Sequence, residues 1–116
     1  MEMSKVVVVE LDNADLEKLK YLAILRKTNV NALVLEAISN ILGSDHSNVE
    51  PIKVEHGVKR SIKIPDELLE RLDEFARYHK MNRSEAVRLA AKLFLKKHGV
   101  DNVVVPSAQV VKIKLD

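Results

Sequence analysis

The stretch Lys59-Arg-Ser-Ile-Lys-Ile-Pro-Asp-Glu-Leu-Leu-Glu-Arg-Leu72 decides the fold class of this chain. Its first residues alternate, with the apolar Ile62 and Ile64 on one side and polar residues on the other, which is the period of a half-buried β-strand. Pro65 cannot donate to a strand ladder, and the acidic residues that follow it suit the first turn of a helix. The sequence therefore predicts a short strand followed directly by an amphipathic helix.

A second stretch, Asn82-Arg-Ser-Glu-Ala-Val-Arg88, predicts where the next helix begins. Asn82 and Glu85 form an Asx version of the capping box, in which each side chain bonds to the backbone N–H of the other residue. Apolar residues continue at helical spacing, and Gly99 is placed to end the helix. The predicted unit is strand, helix, helix.

The same order of elements occurs twice, at an offset of 53 residues. The offset superimposes nine identical pairs, among them Leu16 with Leu69, Ala23 with Ala76, Lys27 with Lys80 and Asn29 with Asn82. In the first copy it predicts a strand over Lys5 to Leu11, a helix from Asp15 to Lys27, and a helix from the Asn29 cap to Leu42.

These patterns divide the chain into four parts. They are a first copy (residues 1–43), a polar linker (44–57), a second copy (58–99) and a tail (100–116). The tail contains two predicted strands, at Val103 to Val105 and at Val110 to Leu115.

Composition limits the classes of protein that this chain can be. The 116 residues are 47% hydrophobic and 31% charged, with 3% aromatic residues and no cysteine. So small a core, built almost without aromatic residues, predicts a homo-oligomer, most simply a homodimer, and argues against a sizeable enzyme fold. The absence of disulfides and of long apolar runs predicts a cytoplasmic protein with no membrane partner.

The charge is distributed unevenly between the two halves. Residues 1–53 carry 6 basic and 8 acidic side chains, whereas residues 54–116 carry 13 and 9. A polyanionic partner is therefore expected to meet the second half.

The strand, the helix pair and the Asn-Arg-Ser-Glu-Ala-Val-Arg turn of the second copy resemble the ribbon-helix-helix family of DNA-binding regulators, the CopG, MetJ and Arc type. The resemblance covers roughly Val58 to Lys97. It implies an α+β, mostly α, fold in which two strands form an antiparallel ribbon that enters the major groove of double-stranded DNA. Tandem motifs in a short chain are also similar to regulators encoded by viruses of hyperthermophilic archaea, which would act in the host cytoplasm.

The resemblance implies two sets of DNA contacts. The outward strand residues, whose side chains can donate to base edges, are Lys59, Ser61 and Lys63. The residues implied to hold phosphates are Arg60 at the start of the strand and, at the helix N-terminus, Asn82, Arg83 and Ser84. Arg60 has the parity of the core side, so its phosphate contact requires its side chain to splay outward.

The first copy departs from this pattern at the positions that would touch DNA. Its outward strand residues are Val6, Val8 and Glu10, and its turn reads Asn29-Val-Asn-Ala32. Val6 and Val8 are able to contact thymine methyl groups. A carboxylate beside phosphates disfavours binding, however, so we favour the interpretation that this copy keeps the architecture and has largely lost the DNA face. Its strand can pair with the second copy, pair with another chain, or lie beneath a tail strand.

Extra apolar residues on the helices of the first copy indicate a protein interface. They are Ile24, Leu25, Leu33 and Leu35.

The sequence predicts no cofactor, no metal site and no catalytic residue. The four histidines, His46, His56, His79 and His98, lack metal-ligand spacing. Neither a phosphate-binding glycine loop nor a nucleophile elbow is present. The function expected is a sequence-specific transcriptional repressor. The alternatives are an antitoxin-like protein whose tail binds a toxin, and a structural assembly protein without specific DNA binding.

Overall fold

The computed structural model describes residues 3–44, 51–52, 54 and 56–100 and contains two β-α-α units. The first unit consists of β1 (Ser4–Asp12), α1 (Asn13–Arg26) and α2 (Val30–Leu42). The second consists of β2 (Gly57–Pro65), α3 (Asp66–Tyr78) and α4 (Arg83–Lys97). The α+β, mostly helical class expected from the sequence is confirmed. The two predicted tail strands lie outside the described residues.

Corresponding elements of the two units begin at the same offset. The strands begin at 4 and 57, the first helices at 13 and 66, and the second helices at 30 and 83, which is 53 residues in each case. The turns between the helices also correspond, because Lys27 and Lys80 both have left-handed backbones, with φ of 55° and 56°. Both turns close with the same backbone hydrogen bond, from Thr28 N–H to the Ala23 carbonyl and from Met81 N–H to the Ala76 carbonyl.

Helix starts follow the capping residues. Asn29 accepts from the Ala32 N–H at 2.8 Å, and Asn82 forms the expected capping box with Glu85. The start predicted for α1 at Asp15 was wrong by two residues, because Asp12 caps the helix by accepting from the Ala14 N–H. The side chain of an aspartate at this position satisfies one of the unpaired N–H groups of the first turn.

The two strands form one antiparallel ribbon within a single chain. Val8 lies opposite Ser61, its counterpart 53 residues later, and the flanking outward pairs are Val6 with Lys63 and Glu10 with Lys59. Of the two pairings that the sequence left open, within a chain or between chains, the structure has the intrachain one. The ribbon is therefore mixed, with one strand from each unit.

The inner face of the ribbon supplies the centre of the core. Val9, Leu11, Ile62 and Ile64 are at most 1% exposed and join buried residues of all four helices. Complete burial of such a side chain contributes about 1.5–3 kcal/mol. The core is thus assembled from both units. Together they supply, within one chain, apolar area that the sequence analysis expected from a second chain.

Two buried charges join the first unit to α4. The Asp15 carboxylate on α1, only 4% exposed, accepts from Lys92 Nζ at 3.0 and 3.2 Å. Arg88 is also buried and donates to the carbonyls of Glu10 at 2.9 Å and Ile52 at 3.3 Å. These contacts satisfy charges that would be costly to bury alone.

Two of the four residues expected at a protein interface face solvent. Ile24 and Leu25, near the end of α1, are 76% and 59% exposed, whereas Leu33 belongs to the core and Leu35 is half-buried. The expectation was wrong for Leu33 because α2 buries that side of its surface. None of the helices in the described part of the chain is long and apolar enough to cross a membrane.

Candidate nucleic-acid interface

The outer face of the ribbon carries the side chains that the sequence analysis expected to meet DNA bases. Lys59, Ser61 and Lys63 are all exposed, as their alternation with the buried Ile62 and Ile64 predicts. Within the described residues, none of these three side chains has a hydrogen-bond or ion-pair partner in the protein. The ribbon therefore presents two ammonium groups and a hydroxyl that are free to bind another molecule.

The first strand contributes the other half of this outer face. Val6 and Val8 are 67% and 60% exposed and lie directly beside Lys63 and Ser61. Glu10 lies opposite Lys59, and its carboxylate is 3.8 Å from the Arg88 guanidinium. Any molecule that covers the lysines of β2 therefore also covers these residues of β1.

The two long edges of the ribbon are held by side chains near the N-termini of α2 and α4. The Lys63 N–H donates to Asn31 Oδ1 at 2.9 Å, and Asn31 Nδ2 donates to the Lys63 carbonyl at 3.0 Å. On the other edge the Glu10 N–H donates to Ser84 Oγ at 3.1 Å, while Arg88 holds the Glu10 carbonyl. A strand edge left unpaired is a template for association with other chains, and these contacts close both edges locally.

The edge contacts also bring each helix N-terminus alongside the ribbon. Asn31 and Ser84 are counterparts at the offset of 53, and so are the residues that they hold, Glu10 and Lys63. The sequence analysis assigned Ser84 to phosphate and did not single out Asn31. The repeat offset was the signal that could have found Asn31, since it aligns with Ser84.

The N-terminus of α4 has the geometry of an anion site, with one qualification at Arg83. The N–H groups of Arg83 and Ser84 have no acceptor among the described residues, as expected for the first turn of a helix. The Arg83 guanidinium donates to both carboxylate oxygens of Asp73, at 2.9 and 2.8 Å. This hydrogen bond lowers the pKa of Asp73 below its ordinary value. The Nε and Nη2 atoms of Arg83 therefore bind Asp73, and Nη1 is the guanidinium nitrogen that remains available to donate to an anion.

Arg60 occupies the place on the ribbon that its parity predicts. It lies opposite Val9 on the inner side and is half-buried. The expected position at the start of the strand was wrong, because β2 begins three residues earlier, at Gly57. Its guanidinium has no hydrogen-bond partner among the residues described. An outward turn of this side chain, as the phosphate role requires, would not break an existing bond.

Two of the three histidines in the described part of the chain pack against phenylalanine rings. The rings of His79 and Phe75, and those of His98 and Phe94, are tilted against each other with centroids 4.4 Å apart. His56 is exposed near the start of β2. No group of three His, Cys, Asp or Glu side chains that could hold a metal ion occurs among the residues described. His46 lies outside them.

Comparisons with known proteins agree with this geometry. Residues 61–98 match the model of the ribbon-helix-helix proteins of the copG family. They comprise the second half of β2 and all of α3 and α4. A stretch of 54 residues is 46% identical to uncharacterized protein 59 of Sulfolobus islandicus rod-shaped virus 1 and covers 47% of this chain and 90% of the viral protein. The chain belongs to the CopG-type ribbon-helix-helix family.

Proteins of the ribbon-helix-helix family are generally DNA-binding transcription regulators, not enzymes, and they typically bind DNA as dimers. The similarity to a virus of an archaeal host agrees with the resemblance drawn from the sequence. No solved structure matches the chain.

Proposed function

We propose that this ribbon-helix-helix protein is a sequence-specific transcriptional repressor that inserts its β-ribbon into the major groove of double-stranded DNA. The observation that carries the proposal is the outer face of the ribbon, where Lys59, Ser61 and Lys63 are exposed and without protein partners. A ribbon seated in promoter DNA excludes other proteins from the same groove, which favours repression. The protein would act in the cytoplasm, or in the host cytoplasm if a virus encodes it.

The base contacts follow from the chemistry of these three side chains. An ammonium group can donate to O6 and N7 of guanine, and a hydroxyl can either donate or accept at a base edge. Lys59 and Lys63 lie on the same face of β2 with Ser61 between them, so their head groups are spaced along the groove. This spacing supports base reading over three successive outward positions.

Phosphate anchoring is proposed at the N-terminus of α4 and at Arg60. The N–H groups of Arg83 and Ser84 point out of the first turn, where the helix dipole favours an anion, and Asn82 stands exposed beside them. Since Ser84 Oγ already accepts from Glu10, its hydroxyl proton is left to donate to a phosphate. Contacts of this kind would fix the position of the ribbon without reading sequence.

We further infer that the two β-α-α units are tandem copies of one motif and that together they replace the two protomers of a ribbon-helix-helix dimer. The equal offsets of the elements support this inference, as do the matched left-handed turns and the matched edge contacts of Asn31 and Ser84. One chain then presents one complete ribbon to DNA.

Association of two such chains into a homodimer is a separate part of the proposal. The exposed end of α1, with Ile24 and Leu25 beside Tyr21, is an apolar surface that a second copy of the chain would cover. Light scattering of the native protein and of Ile24→Glu would show whether the mass halves when this surface is made polar.

Protection of DNA by the native protein and by the double variant Lys59→Ala/Lys63→Ala tests the central proposal. The fragments are its own promoter and an unrelated duplex, each over a salt series. Loss of two lysine contacts is expected to weaken specific binding about 10- to 100-fold and to make the dependence on salt less steep. Lys18→Ala/Lys20→Ala on α1 is the matched control for the loss of two charges. Repression is read from transcription of the promoter fragment in vitro.

Four outcomes are informative. A protected site that only the ribbon variant loses supports reading by the ribbon. Equal binding by native protein and ribbon variant contradicts it, and so does binding without preference for the promoter. Absence of all binding would favour the structural assembly protein instead.

A further inference from the structure

We propose that the ribbon recognises a non-palindromic DNA site and binds it in one fixed orientation, with β1 contributing base contacts of a different chemistry from those of β2. This inference rests on the proposed function and concerns the same surface. It replaces the interpretation that the first unit has lost its DNA face.

The first step of the argument is the location of the approximate two-fold axis of the ribbon. Residues paired across the ribbon have numbers that sum to 69, and counterparts in the two units differ by 53. Both conditions hold together only at Val8 and Ser61, so the axis passes between these two residues. The outward positions on either side are exchanged by the axis, Val6 with Lys59 and Glu10 with Lys63.

The second step is that the backbone obeys this approximate symmetry and the outer side chains do not. Asn31 holds the backbone at Lys63, and Ser84 holds it at Glu10, in equivalent places. A ribbon of two identical strands would offer the same groups to both halves of a palindrome. Here one end offers a valine beside a lysine, and the other end offers a glutamate beside a lysine.

At one end of the ribbon, Glu10 and Lys59 lie opposite each other on the two strands and carry opposite charges. A G·C base pair shows two acceptors on guanine and one donor, the N4 amino group of cytosine, at the major-groove edge. Lys59 matches the guanine, and the carboxylate of Glu10 matches the cytosine. The cross-strand pairing of the two residues suits contact with a single base pair, in the orientation that puts guanine on the side of Lys59.

At the other end, Lys63 lies opposite the apolar Val6. Lys63 can again donate to guanine, whereas the valine methyl groups match the C5-methyl group of thymine. Val6 and Val8 are the large apolar side chains exposed on an otherwise polar face, and thymine methyl groups would cover them. The Val6–Lys63 end of the ribbon therefore favours thymine beside guanine. Unlike the other end, it has no carboxylate on its outer face to accept from the cytosine amino group.

The expected site is thus a G·C pair at the end of Glu10 and a thymine-containing step at the end of Val6. Selection of bound duplexes from a random pool, by the native protein, is expected to return a non-palindromic consensus. The same selection with Val6→Lys/Val8→Ser/Glu10→Lys, which gives both strands the outward residues of β2, is expected to return a palindrome.

Two substitutions on DNA test the individual contacts. Replacing the selected thymine by uracil, which removes only the methyl group, should weaken binding by the native protein about 3- to 10-fold. The same replacement should leave the affinity of the Val6→Ala variant unchanged. Exchange of the G·C pair for C·G should weaken native binding at least about 10-fold. Glu10→Gln, which replaces an acceptor oxygen with a donor, should discriminate less between the two orientations of that pair.

Orientation can be read directly, because the chain contains no cysteine. A single cysteine at Lys80→Cys, carrying a tethered iron–EDTA group, should cleave DNA at one end of the site only. The matched variant Lys27→Cys, at the counterpart position 53 residues earlier, should cleave at the opposite end. Both side chains are exposed and lie outside the apolar surface of Ile24 and Leu25.

The outcomes separate this inference from the proposed function. A palindromic consensus for the native protein, or equal cleavage at both ends from each cysteine, would overturn fixed orientation while leaving DNA binding intact. Failure to enrich any sequence would instead overturn the proposed function itself. A non-palindromic consensus with one-ended cleavage supports both.

Discussion

Replacing Asn31 by alanine should destabilise the protein more than any other change of a single exposed or half-buried polar side chain on α2. Asn31 makes two hydrogen bonds to the backbone of Lys63, one as acceptor at 2.9 Å and one as donor at 3.0 Å. The truncation leaves the N–H and the carbonyl of one β2 residue without protein partners. Both bonds are unusual for a side chain on a helix, because they stabilise an edge of the ribbon instead of the helix that carries them.

The magnitude follows from the two bonds and the setting of the edge. A single hydrogen bond contributes about 0.5–1.5 kcal/mol net, so that two contribute about 1–3 kcal/mol. Lys63 is exposed, so water can replace part of this loss. Alanine also has a higher helix propensity than asparagine, by at most about 0.7 kcal/mol. The expected decrease in the free energy of unfolding is therefore about 1–2 kcal/mol.

The assay compares Asn31→Ala with Ser84→Ala in urea unfolding and in amide hydrogen exchange. Ser84→Ala removes one hydrogen bond from the opposite edge, while Arg88 still holds the Glu10 carbonyl, so its expected cost is only about 0.5–1 kcal/mol. Exchange should accelerate at the Lys63 amide in the first variant and at the Glu10 amide in the second. An unchanged Lys63 amide in Asn31→Ala, together with unchanged stability, would refute the reasoning.

Two further predictions concern the helix pair of the second unit. The Arg83 hydrogen bond lowers the pKa of Asp73 in the folded protein. The Asp73–Arg83 pair therefore makes its full contribution to the free energy of unfolding above about pH 4, and this contribution is lost as the pH falls through the lower folded pKa. Asp73→Asn should therefore lower the free energy of unfolding by about 0.5–1 kcal/mol at neutral pH, because solvent screens this partly exposed pair. At strongly acidic pH the variant should unfold like the native protein. A difference in stability that persists in acid would contradict this prediction. Lys80→Gly relieves a left-handed backbone and should raise the free energy of unfolding by about 0.5–1 kcal/mol in thermal or urea unfolding, whereas Arg77→Gly within α3 should lower it.

Sequence periodicity was sufficient for the parts of the fold that depend on local rules. The alternation around Ile62 and Ile64 predicts which side of β2 is buried, because a strand turns alternate side chains to opposite faces. The capping residues Asn29 and Asn82 predict where α2 and α4 begin, because each satisfies an N–H group within three residues. The orientation of Lys59 on the outer face follows from the same alternation.

Contacts between distant residues could not be predicted in this way. Asp73 and Arg83 meet across the turn between α3 and α4, and no local pattern identifies Arg83, among the arginines of α3 and α4, as the partner of Asp73. Arg88 lies at an apolar position of its helix and is accommodated only because the carbonyls of Glu10 and Ile52 accept its hydrogen bonds. Such partners depend on how elements pack against each other, within the second unit for Asp73 and Arg83 and between the units for Arg88 and Glu10. Residue spacing along one element does not encode this packing.

The contacts between the units also favour the mixed ribbon over pairing of identical units. Asp15 corresponds to Leu68 at the offset of 53, and Glu10 corresponds to Lys63. In a ribbon made from two second units, Lys92 would face a leucine in place of the Asp15 carboxylate, and Arg88 would lie near a lysine in place of Glu10. The change at Glu10 leaves the buried Arg88 without its counter-charge, which is costly because burial limits solvation. The change at Asp15 removes the ion pair of Lys92, whose side chain is 40% exposed. The asymmetric core and the asymmetric outer face are thus two results of the same strand pairing. The pairing of β1 with β2 satisfies the buried charges, and it also places Val6 beside Lys63 and Glu10 beside Lys59.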